Sequence, residues 1–284
     1  MSFKPFIKWA GGKRSLAEQI SSLIGPIDAD ATYFEPFLGG GAVLLHCCPQ
    51  NAICTDINEE LINLYNVIKD NPSELLQILK DVHFKKHSSS YYYRVRNLDR
   101  DIKKFSQLSA IQRAARFLYL NKTCYNGLWR ENSNGQNNVP IGRYKNPCVV
   151  SESEILSVSQ YFNSANIQFL NQDYHSVLDR VKEGDIVYFD PPYDIEETQN
   201  GFVAYAKGGF NREDQVSLKN LCDALVQIGA SVAVSNSNTE FIRSLYSGAP
   251  VRYELHDEII ARRSIGSHST SRKKISELLI IGRP

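Results

Sequence analysis

One run of nine residues constrains this chain more than any other: Asp185-Ile186-Val187-Tyr188-Phe189-Asp190-Pro191-Pro192-Tyr193. Ile186 to Phe189 is β-branched and aromatic, the composition of a strand buried on both faces, and Gly184-Asp185 ahead of it is a turn signal. Neither proline can donate a ladder hydrogen bond, so the strand must end there. Asp190 and Tyr193 are therefore expected at a strand's carboxyl end, where open α/β sheets bind their ligands. An Asp-Pro turn is by itself a common exit from a strand. A second proline and a tyrosine behind it are rare by chance at average composition.

Asp-Pro-Pro-Tyr suits an exocyclic aromatic amine such as that of adenine. The lone pair of such a nitrogen is delocalised into the ring, and acceptors must pull on both N–H groups to push it outward. The Asp190 carboxylate supplies one acceptor and the Pro191 carbonyl another, with proline's fixed φ presetting that carbonyl's direction. Tyr193 can then stack on the base.

Length and charge narrow the class. At 284 residues the chain holds one large α/β domain, or one such domain carrying a smaller inserted one. A net charge of +1 argues against a general polyanion binder, so any nucleic-acid surface must be a local patch. No apolar stretch approaches a membrane span, and the first residues lack the apolar region of a signal peptide. The six cysteines (Cys47, Cys48, Cys54, Cys124, Cys148, Cys222) have no metal-ligand spacing and are expected as reduced core thiols of a cytoplasmic protein. His83 and His87, four apart, have no acid or thiol to complete a site, so no metal is expected.

Along the chain, Lys4, Lys8, Lys13 and Arg14 precede a helix-like stretch, and Gly11-Gly12 would let backbone N–H groups approach an anion, or simply form a flexible arm. Tyr33-Phe34-Glu35-Pro36-Phe37-Leu38-Gly39-Gly40-Gly41 reads as a strand and a glycine turn, followed by an apolar helix start. A second strand, Ala52 to Thr55, ends on Asp56, fifteen positions after Gly41. An acid at that strand tip is placed to accept from ribose hydroxyls. The pair argues for an adenosine-containing cofactor. Without a GxGxxG pyrophosphate cradle, S-adenosylmethionine fits better than a dinucleotide.

From Asn58 to Asn163 the pattern is helical, with apolar faces at Leu61 to Ile68, Leu75 to Leu79 and Ile111 to Leu120. It is interrupted by Asn132-Ser133-Asn134-Gly135-Gln136-Asn137-Asn138, which reads as a hairpin tip. Around it lie Tyr125, Asn126, Arg130, Arg143, Tyr144 and Lys145, a mixture that suits phosphate contacts and base-edge readout, or an ordinary polar loop. Tyr91 to Tyr93, with Arg94 and Arg96, are expected to pack as a helix.

Sheet pattern resumes with Ile167 to Leu170, and Asp173 could cap a helix over Tyr174 to Val181 or reach a cofactor's adenine. A long loop, Asp194 to Gly209, carries Phe202 and Tyr205. A helix over Asn211 to Ile228, a strand at Val232 to Val234, a helix over Thr239 to Tyr246 and strands at Val251 to Leu255 and Ile275 to Ile281 complete an alternating α/β series. The loop from Ile259 to Lys274 holds Arg262, Arg263, Arg272, Lys273 and Lys274, a solvated basic loop or a phosphate-facing patch.

These segments, in this order, resemble the Dam-like DNA adenine methyltransferases: Phe6-Ile7-Lys8-Trp9-Ala10-Gly11-Gly12-Lys13, Phe34 to Gly41, Asp56-Ile57-Asn58, Tyr125-Asn126-Gly127-Leu128, Val139-Pro140-Ile141-Gly142-Arg143-Tyr144-Lys145, Asp190 to Tyr193 and Phe202-Val203-Ala204-Tyr205. The resemblance runs from Phe6 to the last strand. It implies that Trp9, Lys13, Glu35, Phe37, Gly39, Gly41, Asp56, Asp173 and Asp190 line an S-adenosylmethionine pocket and that Asp190, Pro191, Pro192 and Tyr193 hold a flipped adenine. It also implies GATC as the site, with Lys8, Asn126, Leu128, Arg130 and Tyr144 at DNA-contacting positions. Two departures stand out: Trp129 and Glu131 flank Arg130, and Val203 replaces the usual Thr.

The resulting expectation is a doubly wound, Rossmann-like methyltransferase sheet. Residues 1–56 and 165–284 would form the cofactor-binding domain, and residues 57–164 an inserted, mainly helical target-recognition subdomain with a hairpin near 128–141. The enzyme would act on double-stranded DNA as a monomer or weak dimer. A methyltransferase acting on RNA or on a protein glutamine amide, and a non-catalytic DNA-binding regulator, are the alternatives.

Overall fold

A computed structural model of the chain describes residues 2–144, 147, 151–195, 209–248, 250–260 and 276–284. Lys145, Cys148, most of the loop from Asp194 to Gly209, including Phe202 and Tyr205, and the five cations of the basic loop after Ile259 lie outside the described residues. The strands are β1 (Tyr33–Glu35), β2 (Asn51–Thr55), β3 (Asn166–Leu170), β4 (Ile186–Phe189), β5 (Ser231–Ser237), β6 (Tyr253–Ile260) and β7 (Ser276–Gly282), in one sheet of order β3-β2-β1-β4-β5-β7-β6. β1 is parallel to β2 and β4, and β4 to β5, while β7 runs antiparallel between β5 and β6. The helices are α1 (Ala17–Ile24), α2 (Ala42–Cys47), α3 (Glu59–Asp70), α4 (Pro72–Ile78), α5 (Ser89–Arg96), α6 (Ile102–Phe105), α7 (Ala110–Thr123), α8 (Glu152–Ser164), α9 (Arg212–Ile228) and α10 (Glu240–Tyr246). This is the expected α/β architecture.

The chain divides into two compact units, the first made of Met1–Arg14, Gly39–Cys48 and Asp56–Asn171, the second of Ser15–Leu38, Pro49–Thr55 and Gln172–Pro284. In the first, Tyr65 of α3 is fully buried and packs against Phe6, Phe162 and Phe169 with ring centroids 5.1, 6.3 and 4.9 Å away. Arg116 of α7, 2% exposed, tolerates burial because Asp99 pairs with its Nη2 at 2.7 Å and the Val95 and Arg96 carbonyls accept from Nε and Nη2. Tyr91 and Tyr92 pack inward on α5, as expected, with the Arg94 and Arg96 guanidinium groups over the Tyr91 and Tyr93 rings.

In the second unit β4 is buried at every position, and Val187 and Phe189 join Phe34, Val232, Val234, Leu218, Leu225 and Ile280 in one apolar core. β4 ends where Pro191 begins the prolines' block. A topological switch lies between β1 and β4, parallel neighbours from which β2 and β5 run outward in opposite directions. Glu35 ends β1 and Asp190 follows β4 beside that switch, where open α/β sheets bind their ligands.

Three expectations change. The helix expected over Tyr174 to Val181 is one 3-10 turn, Tyr174–Val177, which Asp173 caps by accepting from the His175 N–H at 3.0 Å. The strand expected at Val232 to Val234 continues to Ser237, because polar Asn236 and Ser237 find buried partners there. The hairpin near 128–141 is present in short form: two antiparallel bridges, Cys124 with Ile141 and Glu131 with Asn137, with the Asn138 N–H donating to the Arg130 carbonyl at 3.0 Å and the Asn132 N–H to the Gln136 carbonyl at 2.9 Å, in place of extended strands. At its tip the Asn132 side chain accepts from the Asn134 and Gln136 N–H groups, so side-chain bonds add to the backbone ones in shaping the turn.

Among the described residues no helix is long and apolar enough to cross a membrane, and no cluster of His, Cys, Asp and Glu could hold a metal ion. Cys48, Cys54, Cys124 and Cys222 are free thiols. Burial pushes the last three up, Cys124 to about 11.

Candidate active site

In the second unit, the residues after β4 are held from several sides. Asp190 is half-buried, Pro191 buried, Pro192 exposed and Tyr193 half-buried. The Tyr193 hydroxyl donates to Glu277 Oε2 of β7 at 3.0 Å. Burial, then the Asp190 and Glu277 carboxylates, push this phenol far above its usual range, and burial with Asp190 does the same to Tyr188. Gln215 Nε2 donates to the Pro192 carbonyl at 2.9 Å. Asp194 continues the clamp: its carboxylate accepts from Thr239 Oγ1 at 2.7 Å and from Arg212 Nε at 3.1 Å.

The other predicted cofactor residues of this unit are Glu35, Phe37 and Asp173. Glu35, only 2% exposed, accepts from the Tyr33 hydroxyl at 2.9 Å. Phe37 stacks on Tyr174 at 5.2 Å and meets Phe189 and Phe210 edge-on at 6.4 and 5.7 Å, an apolar wall at the strand ends. Asp173 is exposed and pairs with His175 Nδ1 at 2.6 Å.

The first unit gathers Trp9, Lys13, Gly39, Gly41 and Asp56. Gly39 and Gly41 have φ of +47° and +60°, which a side chain would strain. A Cβ on Gly39 would also sit 2.7 Å from the Trp9 ring, so the indole lies directly on the glycine turn. Asp56 Oδ2 accepts from the Gly39 N–H at 3.0 Å and Oδ1 from the Asn58 N–H at 2.9 Å. Burial raises the Asp56 carboxyl and these two bonds oppose the rise. Lys13 is buried, and its ammonium donates to the Gly11 carbonyl at 2.7 Å.

In the first unit a buried amide ties Lys8 to the 125–128 turn among the predicted DNA-contacting residues. Asn121, 0% exposed, accepts from the Lys8 N–H at 3.0 Å and donates to the Lys8 carbonyl at 2.7 Å and the Gly127 carbonyl at 3.3 Å. The Lys8 stem crosses Gly127, where a Cβ would lie 2.7 Å from the lysine Cβ, and its ammonium lies 3.4 Å from the Tyr144 hydroxyl. Asn126 takes φ of +55°, turning the chain between Tyr125 and Leu128. Arg130 is exposed and donates to Asn138 Oδ1 at 2.7 Å, and Arg143 is exposed. Trp129 packs against Phe117 with the rings tilted and their centroids 3.9 Å apart, and Glu131 accepts from its indole N–H at 2.7 Å and from Asn58 Nδ2 at 3.3 Å.

The family model described as D12 class N6 adenine-specific DNA methyltransferase matches residues 9–264. The chain belongs to that family. It is 39% identical over 280 residues to a Type II methyltransferase, M1.LlaDCHI, of Lactococcus lactis subsp. cremoris, a match covering 99% of this chain and 95% of that protein. To the Type II methyltransferase M.MjaIII of Methanocaldococcus jannaschii it is 36% identical, with 99% of each chain covered. To the DNA adenine methylase of Escherichia coli it is 34% identical over 285 residues, with 99% and 96% covered. The protein is an adenine-specific DNA methyltransferase, and the RNA, protein-amide and regulator alternatives give way.

The methyltransferase also has site neighbours that its sequence did not single out: Asn121, Gln215, Asn236 and Glu277. Two left a visible trace, an Asn ending the apolar run of α7 and an acid in the apolar strand β7. Gln215, in the first polar turn of α9, and Asn236, near the polar end of β5, left none.

Proposed function

We propose that the methyltransferase transfers the methyl group of S-adenosylmethionine to the exocyclic amino nitrogen of an adenine in GATC, after swinging that adenine out of duplex DNA. The observation that carries this reading is the end of β4, where a half-buried carboxylate, a rigid proline carbonyl and a tyrosine ring follow one another at a sheet crevice.

Trp9, Lys13, Glu35, Phe37, Gly39, Gly41, Asp56 and Asp173 hold the cofactor in this reading, with Asp190 at its reactive end. The residues fit the group. Each Asp56 oxygen accepts one backbone N–H, which leaves acceptor capacity for ribose hydroxyls. The apolar wall of Phe37 and Tyr174 suits an adenine face. Bound there, the cofactor supplies an electrophilic methyl on a cationic sulfur.

Unstacking the adenine costs a few kcal/mol, and stacking on Tyr193 offsets part of it. Asp190 and the Pro191 carbonyl accept from the two amino N–H groups and direct the nitrogen lone pair outward. Positive charge builds on that nitrogen as the methyl arrives, the Glu35, Asp190 and Glu277 carboxylates complement it, and one amino proton then passes by way of Asp190 to solvent, so catalysis is positioning plus electrostatics. Residues 1–56 and 165–284 serve the cofactor and the chemistry. Residues 57–164 recognise the target, with Tyr125, Asn126, Leu128, Arg130, Arg143, Tyr144 and Lys145, joined by Lys8 of the arm, on the DNA.

Sequencing DNA from a host expressing the chain, with N6-methyladenine read at single-base resolution, tests substrate and site together. Methylation confined to GATC is expected, and methylation at another motif would overturn the site. Asp190→Ala should abolish methylation while retaining part of the cofactor affinity. Substantial turnover by that variant would remove Asp190 from its role.

A further inference from the structure

Two buried amides stand behind the Asp190–Tyr193 segment. Gln215, in the first turn of α9, is 1% exposed, and Asn236, near the end of β5, is 0% exposed. Gln215 Nε2 donates to the Pro192 carbonyl at 2.9 Å, and Asn236 Nδ2 donates to Gln215 Oε1 at 3.0 Å. Asn236 Oδ1 accepts from the Asp194 N–H at 3.2 Å and the Ser237 N–H at 2.8 Å. An amide's oxygen and nitrogen are told apart by their partners, and here both ends decide. The proline carbonyl can only accept and the peptide N–H groups can only donate, so the two amides run with a single polarity.

We propose that Gln215 and Asn236 are positioning residues: a two-amide relay that occupies the Pro192 carbonyl and leaves Asp190 and the Pro191 carbonyl as the acceptors for the target amine. The proposal rests on the roles given to Asp190 and Pro191 above. The physical reason lies in the prolines. A pyrrolidine ring fixes φ but not ψ, so two successive carbonyls can exchange places as acceptors unless something holds one of them. The relay holds Pro192. The Asp194 peptide is fixed at both ends as well, its N–H by Asn236 and its carbonyl by Ser237 Oγ at 2.7 Å. An apolar pair would fill the same space without the risk that one lost partner strands a buried polar group. What amides add here is direction.

Gln215→Glu is the discriminating variant. An ionised carboxylate facing the Pro192 carbonyl repels it, whereas a protonated carboxyl donates to it again. Burial raises the pKa of such an acid, so the switch falls within a usable pH range. At about pH 8 kcat should drop tenfold to a hundredfold, roughly what a misdirected reacting group costs, with the Kd for S-adenosylmethionine and the KM for DNA within about twofold of wild type. Relative to wild type, kcat should recover as the pH falls toward about 6, while Gln215→Leu should stay low throughout. A Gln215→Glu profile parallel to that of wild type would overturn the relay. If Gln215→Glu does not fold, Asn236→Asp takes its place. It keeps an acceptor for the Asp194 and Ser237 N–H groups but cannot donate to Gln215. About a tenfold kcat loss at unchanged cofactor affinity supports the relay, and wild-type kcat refutes it. Failure of the underlying reading looks different: Asp190→Ala would then retain substantial turnover, whatever Gln215→Glu does.

Discussion

Tyr193 makes two demands that separate on mutation. Its ring is the stacking surface proposed for the extruded base, and its hydroxyl donates to Glu277. Tyr193→Phe keeps the ring and strands no donor, so activity should fall less than about tenfold, the worth of one hydrogen bond to a charged group at its lower end. Tyr193→Ala removes the stack, worth about 1–3 kcal/mol per base, and kcat/KM should fall roughly tenfold to a hundredfold. Because burial and the two carboxylates push the phenol far up, it stays neutral at any working pH. The pH–rate profile of Tyr193→Phe should therefore parallel that of wild type. A new inflection in that profile, or equal losses for the two variants, would move Tyr193 out of the stacking role. The ring's place was legible because the tetrapeptide is contiguous in sequence. The hydroxyl's partner was not: Glu277 lies 84 positions away, and nothing local ties the two together.

At the scale of elements, the stretch after α4 behaves unlike the helix that its apolar spacing suggests. Leu79–Phe84 winds as a π-helical turn, and it brings His83 against Tyr119 with centroids 4.9 Å apart and Nδ1 within 3.1 Å of the Tyr91 hydroxyl. Burial, helped by the Arg116 and Lys86 charges, pushes the His83 imidazole down to about 4. Its folded pKa thus lies below the ordinary value near ~6.5, so the fold prefers the neutral ring. The stabilisation is complete above about pH 6.5 and is lost as the pH falls toward about 4, up to roughly 3 kcal/mol. Denaturant unfolding across that window should show wild type losing stability faster than His83→Phe. Equal slopes would mean that the imidazole protonates freely in the folded protein. Helical periodicity could find α3 and α7 because each repeats an apolar face over several turns. A single i→i+5 turn changes the register once and has no such signature. The same limit explains Tyr174–Val177, where a single turn capped by Asp173 stands in place of the longer helix.

For the molecule as a whole, the alternation of strands and helices was enough to anticipate an α/β sheet, and the proline block was enough to mark where β4 ends. Strand order was beyond reach, because pairing β1 with β4 depends on contacts about 150 residues apart in the register Tyr33 to Ile186. The arm's anchorage was equally hidden, since Asn121 grips Lys8 across 113 positions. Charge, however, is a whole-chain property and yields a whole-chain expectation. With a net charge of +1, the protein has little general affinity for polyanions, and DNA affinity must come from a few local cations. Arg143, if it contacts a phosphate, contributes one released counterion: Arg143→Ala should weaken binding on every sequence alike and make the slope of log K against log salt shallower by about 1. Arg130, if it reads a base edge, should leave that slope nearly unchanged. Arg130→Ala should instead narrow the gap between the cognate site and a one-base variant by about 1–3 kcal/mol at one position. Salt titrations of both variants on cognate and single-mismatch duplexes separate the roles. Indifference of the slope to Arg143→Ala, or a uniform loss for Arg130→Ala, would reverse the assignment, because a phosphate contact carries charge without sequence and a base contact carries sequence with little counterion release.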